Sequence, residues 1–327
     1  MRFLPTLLLT ASLVALPLGC TTWEPFANDP ALTQRSGAIL PVRPFAPRDL
    51  NMFEGGTGRT LTWADTMNAA SAADVTFIGE RHDDPTSHQV QLAVYEELLA
   101  GYPRCAISLE HLERNEQALT DQFLASAITM DAFIDQTKSR NWTGKDTWVL
   151  YFQPLIDAAK RNDGQVIAAN APRSYVSRAS KEGYDGLRTL PPEELALFDA
   201  PLAMDAGAYR DRFRQIMLQE GESLDNAEVI ARIDQRFHGQ QMWDETMGLS
   251  VARALELGTP KIVHCAGCFH IEYEGGTVLA LRRAAPRAKV LTITVIDDAS
   301  DHLRDGDRNA ADIVIYGFPV DRPKNED

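Results

Sequence analysis

Four cysteines in 327 residues leave little room for a cysteine-built architecture. Cys20 closes an N-terminal apolar stretch, and Cys105, Cys265 and Cys268 follow in the body, an odd number that cannot all pair within one chain. Cys265-Ala266-Gly267-Cys268 is a lone C-x-x-C. No second pair completes a structural zinc site, and no histidine follows directly, as covalent haem attachment requires. A local disulfide and inert strand-end thiols are the two readings left. Positive charge is scarce too: 32 Lys and Arg against 46 Asp and Glu give a net charge of −14 and a pI near 5.0. Without a basic cluster, the chain cannot supply the counterion-releasing surface that nucleic acid needs. Signatures of nucleotide and serine chemistry are missing, with no P-loop, no dinucleotide fingerprint and no Gly-x-Ser-x-Gly elbow. Gly55-Gly56-Thr57-Gly58 precedes the first strand-like run instead of following it, so it reads as a turn.

Long apolar runs are missing everywhere except at the start. Met1-Arg2 is followed by the apolar stretch Phe3 to Leu18 and then by Gly19-Cys20. A membrane span needs about 20 apolar residues. The shorter stretch has the build of a secretory signal, and a small residue before cysteine points to lipoprotein processing with Cys20 acylated. Pro17 departs from the usual lipobox, where leucine is typical. Thr21 and Thr22 carry no aspartate that would favour inner-membrane retention, so the expected place is the outer membrane, facing the periplasm or the cell surface. Residues 21 to 50 contain Pro25, Pro30, Pro41, Pro44 and Pro47 and read as a semi-extended tether.

The rest, residues 51 to 327, reads as one α/β domain. Runs rich in β-branched residues at Val75–Ile78, Ala106–Leu109, Val166–Ala169, Ile262–Cys265, Val290–Val295 and Ile313–Tyr316 alternate with helical patterns. Those patterns cover Thr62 to Ala72, with Asp65 as capping-box partner, then His88 to Leu99 and Tyr151 to Arg161. Such alternation predicts a mainly parallel sheet flanked by helices. From about 191 to 258 no strand pattern occurs, and the spacing predicts a helical insertion before the last strands, ending in a helix from Ala227 to Leu257. Met242 and Trp243 on that helix suit either core packing or the lining of an apolar pocket.

What is present is a pair of matching elements. Gly79-Glu80-Arg81-His82 follows the run at 75–78, and Gly267-Cys268-Phe269-His270 follows the run at 262–265. Ligands of open α/β sheets collect beyond the carboxyl ends of the strands. Two Gly-x-x-His elements at two strand ends therefore predict a shared crevice holding Glu80, His82 and His270, with Glu110 beside them. Two imidazoles and a carboxylate suit a divalent transition metal with an open position for water. Without a metal, the same groups serve as acid and base. His111, His238 and His264 read as structural histidines.

These residues carry a resemblance. Gly79-Glu80-Arg81-His82-Asp83-Asp84 with His88 and Gln91, Ser108-Leu109-Glu110 and Ala169-Asn170-Ala171-Pro172-Arg173 resemble the ChaN family. So do the Gln-x-Met-Trp-Asp-x-Thr-Met stretch ending at Met247 and Val263 to His270. The blocks stand in the family's order and span about residues 53 to 317. Two departures stand out: Ser87 where the family often has a second histidine, and Cys265 and Cys268 in place of apolar or small residues. The resemblance implies a haem-binding lipoprotein of iron uptake, related to the erythromycin esterase, TraB and Tiki group, in which a pocket of this kind is linked to metal-dependent hydrolysis. Haem demands an axial histidine, methionine, cysteinate or tyrosinate. Tyr151, Tyr175 and Tyr273 are the tyrosine candidates, with no rule selecting among them. Arg173 suits a propionate or another carboxylate, and Met242 and Trp243 suit apolar lining. An outer-membrane haem receptor is the partner the resemblance suggests, and a homodimer is left open. Three function classes follow: haem binding in iron acquisition, a metal-dependent hydrolase, and a structural or partner-binding lipoprotein. The N-terminal reading has its own check: mass spectrometry of the mature N-terminus is expected to find Cys20 first and lipid-modified, and an unmodified or missing Cys20 defeats it.

Overall fold

The structure is a computed structural model and describes residues 46–320. The signal stretch, Cys20 and nearly all of the tether lie outside the described residues. In chain order the first elements are β1 (Asn51–Glu54), β2 (Thr60–Leu61), α1 (Trp63–Ala72), β3 (Val75–Glu80), α2 (Pro85–Gly101) and β4 (Ala106–Glu113). Then come α3 (Gln117–Leu124), α4 (Met130–Thr137), α5 (Thr147–Tyr151), α6 (Gln153–Arg161), β5 (Gln165–Asn170) and α7 (Arg173–Glu182). The last part holds α8 (Pro192–Leu195), α9 (Ala208–Ile216), α10 (Ala227–Glu256), β6 (Ile262–Gly267), α11 (Gly276–Ala284), β7 (Val290–Ile296) and β8 (Ile313–Tyr316).

The strands form one eight-stranded sheet in the order β2-β1-β8-β7-β3-β6-β4-β5. The six from β8 to β5 run parallel, and β1 and β2 add an antiparallel hairpin at one edge. The expected α/β sheet is therefore present, with all six expected strands in it. The hairpin was not foreseen, since Asn51–Glu54 and Thr60–Leu61 are too short for an alternating pattern. The glycine-rich segment between them is its turn.

Alternation along the strands divides the core between two faces. On one, Ile78, Val263 and Cys265 pack against Val90, Val94 and Leu98 of α2 and Leu155, Ile156 and Ala159 of α6. On the other, Val75, Phe77, Ala106 and Ile262 meet Val251 and Ala252 of α10 and Val278 and Leu281 of α11. Neighbouring strands β3 and β6 thus send their following helices, α2 and α11, to opposite faces. That divergence opens a crevice at their carboxyl ends.

Local chemistry explains the helix boundaries. Thr62 and Asp65 form the expected capping box, with Asp65 N donating to Thr62 Oγ1 at 3.2 Å and Thr62 N to Asp65 Oδ2 at 2.9 Å. α2 begins three residues before the expected His88, because the Asp84 carboxylate accepts from Thr86 N and Ser87 N and Pro85 fits the first turn. The helix expected from Tyr151 to Arg161 is split at Phe152 into α5 and α6. Between 191 and 258 the described residues hold only helices, as expected, and α10 lies against β5, α7 and α11 as part of the core. At the sheet's other edge the Gln117 side chain pairs with β5, its Nε2 donating to Val166 O at 2.9 Å and its Oε1 accepting from Ala168 N at 2.8 Å.

Candidate functional site

Parallel register aligns Glu80, the last residue of β3, with Gly267, the last of β6. Glu80 is 1% exposed, and an ionised carboxylate at such a place requires donors. Its Oε1 accepts from His82 Nδ1 and from His111 Nε2, both at 2.9 Å, and its Oε2 accepts from Gln91 Nε2, with His88 Nδ1 at 3.6 Å. A carboxylate can only accept, so the proton of His82 sits on Nδ1 and that of His111 on Nε2. Burial pushes the Glu80 carboxyl up, but the His111 and His88 imidazoles and the hydrogen bonds hold it well below the usual range. For His82, burial favours the neutral ring, yet the Glu80 bond and the Glu110 charge prevail and raise its pKa. His88 is lowered by burial, which outweighs the pull of Glu80, and its Nε2 bonds the His82 carbonyl at 3.0 Å.

A second carboxylate–imidazole group stands across the crevice. Glu110 Oε2 accepts from Gly267 N at 2.6 Å, and its Oε1 lies 3.6 Å from His270 Nε2. His270 Nδ1 is 2.7 Å from Asp244 Oδ1 of α10, and Asp244 in turn accepts from Thr277 Oγ1 at 2.8 Å and from the Tyr209 hydroxyl. Burial alone depresses the His270 pKa, but flanking Asp244 and Glu110 carry it up to about 10. Against the same burial, His270 keeps Glu110 well below the carboxylate range. The two glycines of the matched elements have a steric reason. A Cβ on Gly79 would stand 3.2 Å from Cys268 Cα, and one on Gly267 would stand 3.0 Å from His82 Nε2 and 3.6 Å from Glu110 Oε2. Gly267 is where the two groups meet.

The rim is aromatic and apolar. Trp142 lies edge-on to His82 and His111, with ring centres at 4.9 and 4.4 Å, and Tyr151 stacks on His88 at 4.3 Å. Val149 and Leu150 beside it are exposed. The His82 side chain is 39% exposed, whereas the Glu80 and His111 side chains are wholly covered.

The model of the family described as haem-binding uptake, Tiki superfamily, ChaN matches residues 66–281, about two thirds of the chain and all of the groups above. The chain belongs to this ChaN family. Its fold is similar to the solved structure described as cofacial haem binding to ChaN of Campylobacter jejuni, with a TM-score of 0.60 at 18% identity over 81% of this chain and 96% of that one. The type III effector HopBA1 follows at a TM-score of 0.47 and 14% identity, over 84% of this chain and 99% of that one. No curated protein sequence matches the chain.

In this ChaN-family chain the structure brings Glu80, His82, Glu110 and His270 to one crevice. It groups the ligand atoms differently from the expected metal set of Glu80, His82 and His270. Atoms of Glu80, His82 and His111 lie within 4.8 Å of one another, while His270 is held by Asp244 and Glu110. His111 was read as structural. Period-two alternation turns the residue after Glu110 away from the crevice, but β4 carries an irregularity in register between Leu109 and Glu113. His238 back-bonds to Asp234 O, and His264 is buried against Ser108, its pKa pushed down to about 3 by burial.

The expected ligand-lining residues scatter. Met242 is 0% exposed in a core cluster with Val176, Ala179 and Tyr184, and Trp243 packs at that cluster's margin, so neither lines a haem pocket. The Tyr175 hydroxyl donates to Glu194 Oε2 at 2.9 Å, and the Tyr273 hydroxyl donates to Gly306 O at 2.6 Å. The Arg173 side chain is exposed, while its backbone N binds Glu113. Tyr151 alone of the three tyrosines stands on the rim. Cys105 and Cys265 are free, buried thiols, raised by burial, so the local Cys265–Cys268 bridge is not formed.

The His270 cage sets a pH dependence. A raised imidazole pKa adds stability that is complete below its ordinary value of 6.5 and is lost as the pH rises through about 10. Ring-labelled NMR is expected to show His270 protonated beyond pH 9 and titrating lower in Asp244→Asn; an ordinary titration in the native chain contradicts the cage.

Proposed function

We propose that this protein binds haem at the mouth of the β3–β6–β4 crevice, as a lipid-anchored component of iron acquisition in the cell envelope. The family match carries the reading, because residues 66–281 include every member of both carboxylate–imidazole groups. The rim supports it. A flat apolar macrocycle needs apolar neighbours beside a polar anchor, and Trp142, Val149, Leu150 and Tyr151 border the part-exposed His82. Tyr151 is the best placed of the tyrosines to meet the iron, since its hydroxyl makes no hydrogen bond among the described residues. Anchoring at Cys20 would hold the site near a membrane receptor that takes or delivers haem. Titrating haem into the chain lacking residues 1–20 is expected to give a saturable Soret shift, weakened about tenfold in Tyr151→Phe, about 1.4 kcal/mol. A spectrum equal to that of haem with an unrelated acidic protein rejects the reading.

One observation favours a second reading, a divalent metal held by Glu80, His82 and His111. Ligands about 2 Å from a zinc ion lie about 3.3 Å apart in a tetrahedron, within reach of the 4.8 Å grouping after small side-chain shifts. One oxygen and two nitrogen donors fit zinc, manganese or iron(II). Such an ion would supply an activated water; it would take the place of the protons that His82 Nδ1 and His111 Nε2 share with Glu80, while His270 keeps Glu110 charged. Equilibrium dialysis with zinc is expected to retain one ion per chain and to lose it in His111→Ala, and equal retention in both proteins ends this reading.

A further inference from the structure

The segment between α4 and α5, residues 138–146, covers the crevice by one side chain. Its polar bonds all stay local among the described residues. Ser139 N reaches Ile134 O, Trp142 N reaches Ser139 O, Asp146 N reaches Asn141 Oδ1, Thr143 N reaches Thr147 Oγ1, and Arg140 pairs with Asp135. None crosses to the sheet or to α2. Among the described residues, the segment's ring contacts with the crevice are those of Trp142, packed edge-on against His82, His111 and Phe152. Lys138 and Asp146 at its two ends hold left-handed backbone, with φ of 55° and 57°, which side chains other than glycine adopt at a cost.

A second, independent feature involves the same contact. Among the described residues, four buried side-chain polar atoms have no hydrogen-bond partner, and two belong to residues at this contact: His111 Nδ1, on the ring packed against Trp142, and Thr143 Oγ1, on the residue that follows Trp142. An unpaired buried polar atom costs about 1–3 kcal/mol, so the covered arrangement leaves polar groups that a bound molecule or entering water would satisfy. Weak apolar contact and unmet polar atoms are the makings of a part that opens.

We propose that residues 138–146 form a lid whose leaf is Trp142, and that this residue decides what reaches Glu80 and His111. His82 stays accessible at the open side, while His111 is reached only when the lid lifts. A molecule entering there meets the unpaired Nδ1 of His111, so the crevice favours ligands with a hydrogen-bonding group beside an apolar body. The inference rests on the crevice being the binding site, but its first test needs no haem.

Diethylpyrocarbonate reports imidazole access directly when the modified peptides are followed by mass spectrometry at fixed pH. In the native chain His82 is expected to react at once and His111 slowly. Trp142→Ala is expected to speed His111 about tenfold or more by removing the cost of opening, with His302, exposed and remote, unchanged. Equal rates for His82 and His111 in the native chain, or a His111 rate indifferent to the substitution, overturn the lid. If Trp142→Ala does not fold, hydrogen exchange of the native chain decides: amides of 138–146 exchange well before those of α6, or the lid is rejected. A second arm adds haem, which is expected to slow His111 labelling. Haem that leaves no Soret shift removes the haem reading while the effect of Trp142→Ala stands, so the two failures remain distinct.

Discussion

The buried carboxylate of Glu80 is the constraint around which the crevice is arranged. A charge with 1% exposure survives only where donors surround it. Those donors come from the turn after β3 (His82), from α2 (Gln91, with His88 close by) and from the end of β4 (His111). One side chain thus ties three elements together and fixes two tautomers. With Nδ1 committed to Glu80, His82 directs Nε2 across the crevice to Gly267. The carboxylate also raises the basicity of the ring it orients, the role a second-layer carboxylate plays for imidazoles that bind metals or protons.

Across Gly267 the pattern repeats with charges alternating: Glu110, His270, Asp244. This side joins β4, the turn after β6 and α10, which lies on the opposite face of the sheet from α2. The divergence of α2 and α11 makes the gap, and the two carboxylate–imidazole groups fill its walls from either face. The proposed haem and metal readings both call on the imidazoles that stand beside the apolar rim.

The sequence shows the sheet clearly because each parallel strand holds a short apolar run, β-branched and closed by turn residues at Val75–Glu80 and Ile262–Gly267. It also shows Glu80, His82 and His270, since strand-end position and the paired glycines mark them. It hides His111, because the irregular register of β4 breaks the alternation that sequence reasoning relies on. Asp244 is legible only as part of the Trp-Asp block, because helical spacing does not tell which of Asp244 and Glu245 turns inward or that its partner lies 26 residues on. Met242 misled in the opposite sense, since helical spacing reports an apolar face and not what covers that face.

Gln117 carries a consequence for how copies of this protein can meet. Its amide occupies the N–H and C=O positions on β5 that an incoming strand would need. At the opposite border β2 offers only two residues, Thr60 and Leu61. Among the described residues both flanks of the sheet thus offer little free backbone to an incoming strand. A mutation that removes the Gln117 amide would return Val166 O and Ala168 N of β5 to solvent, the kind of free edge on which sheets add strands.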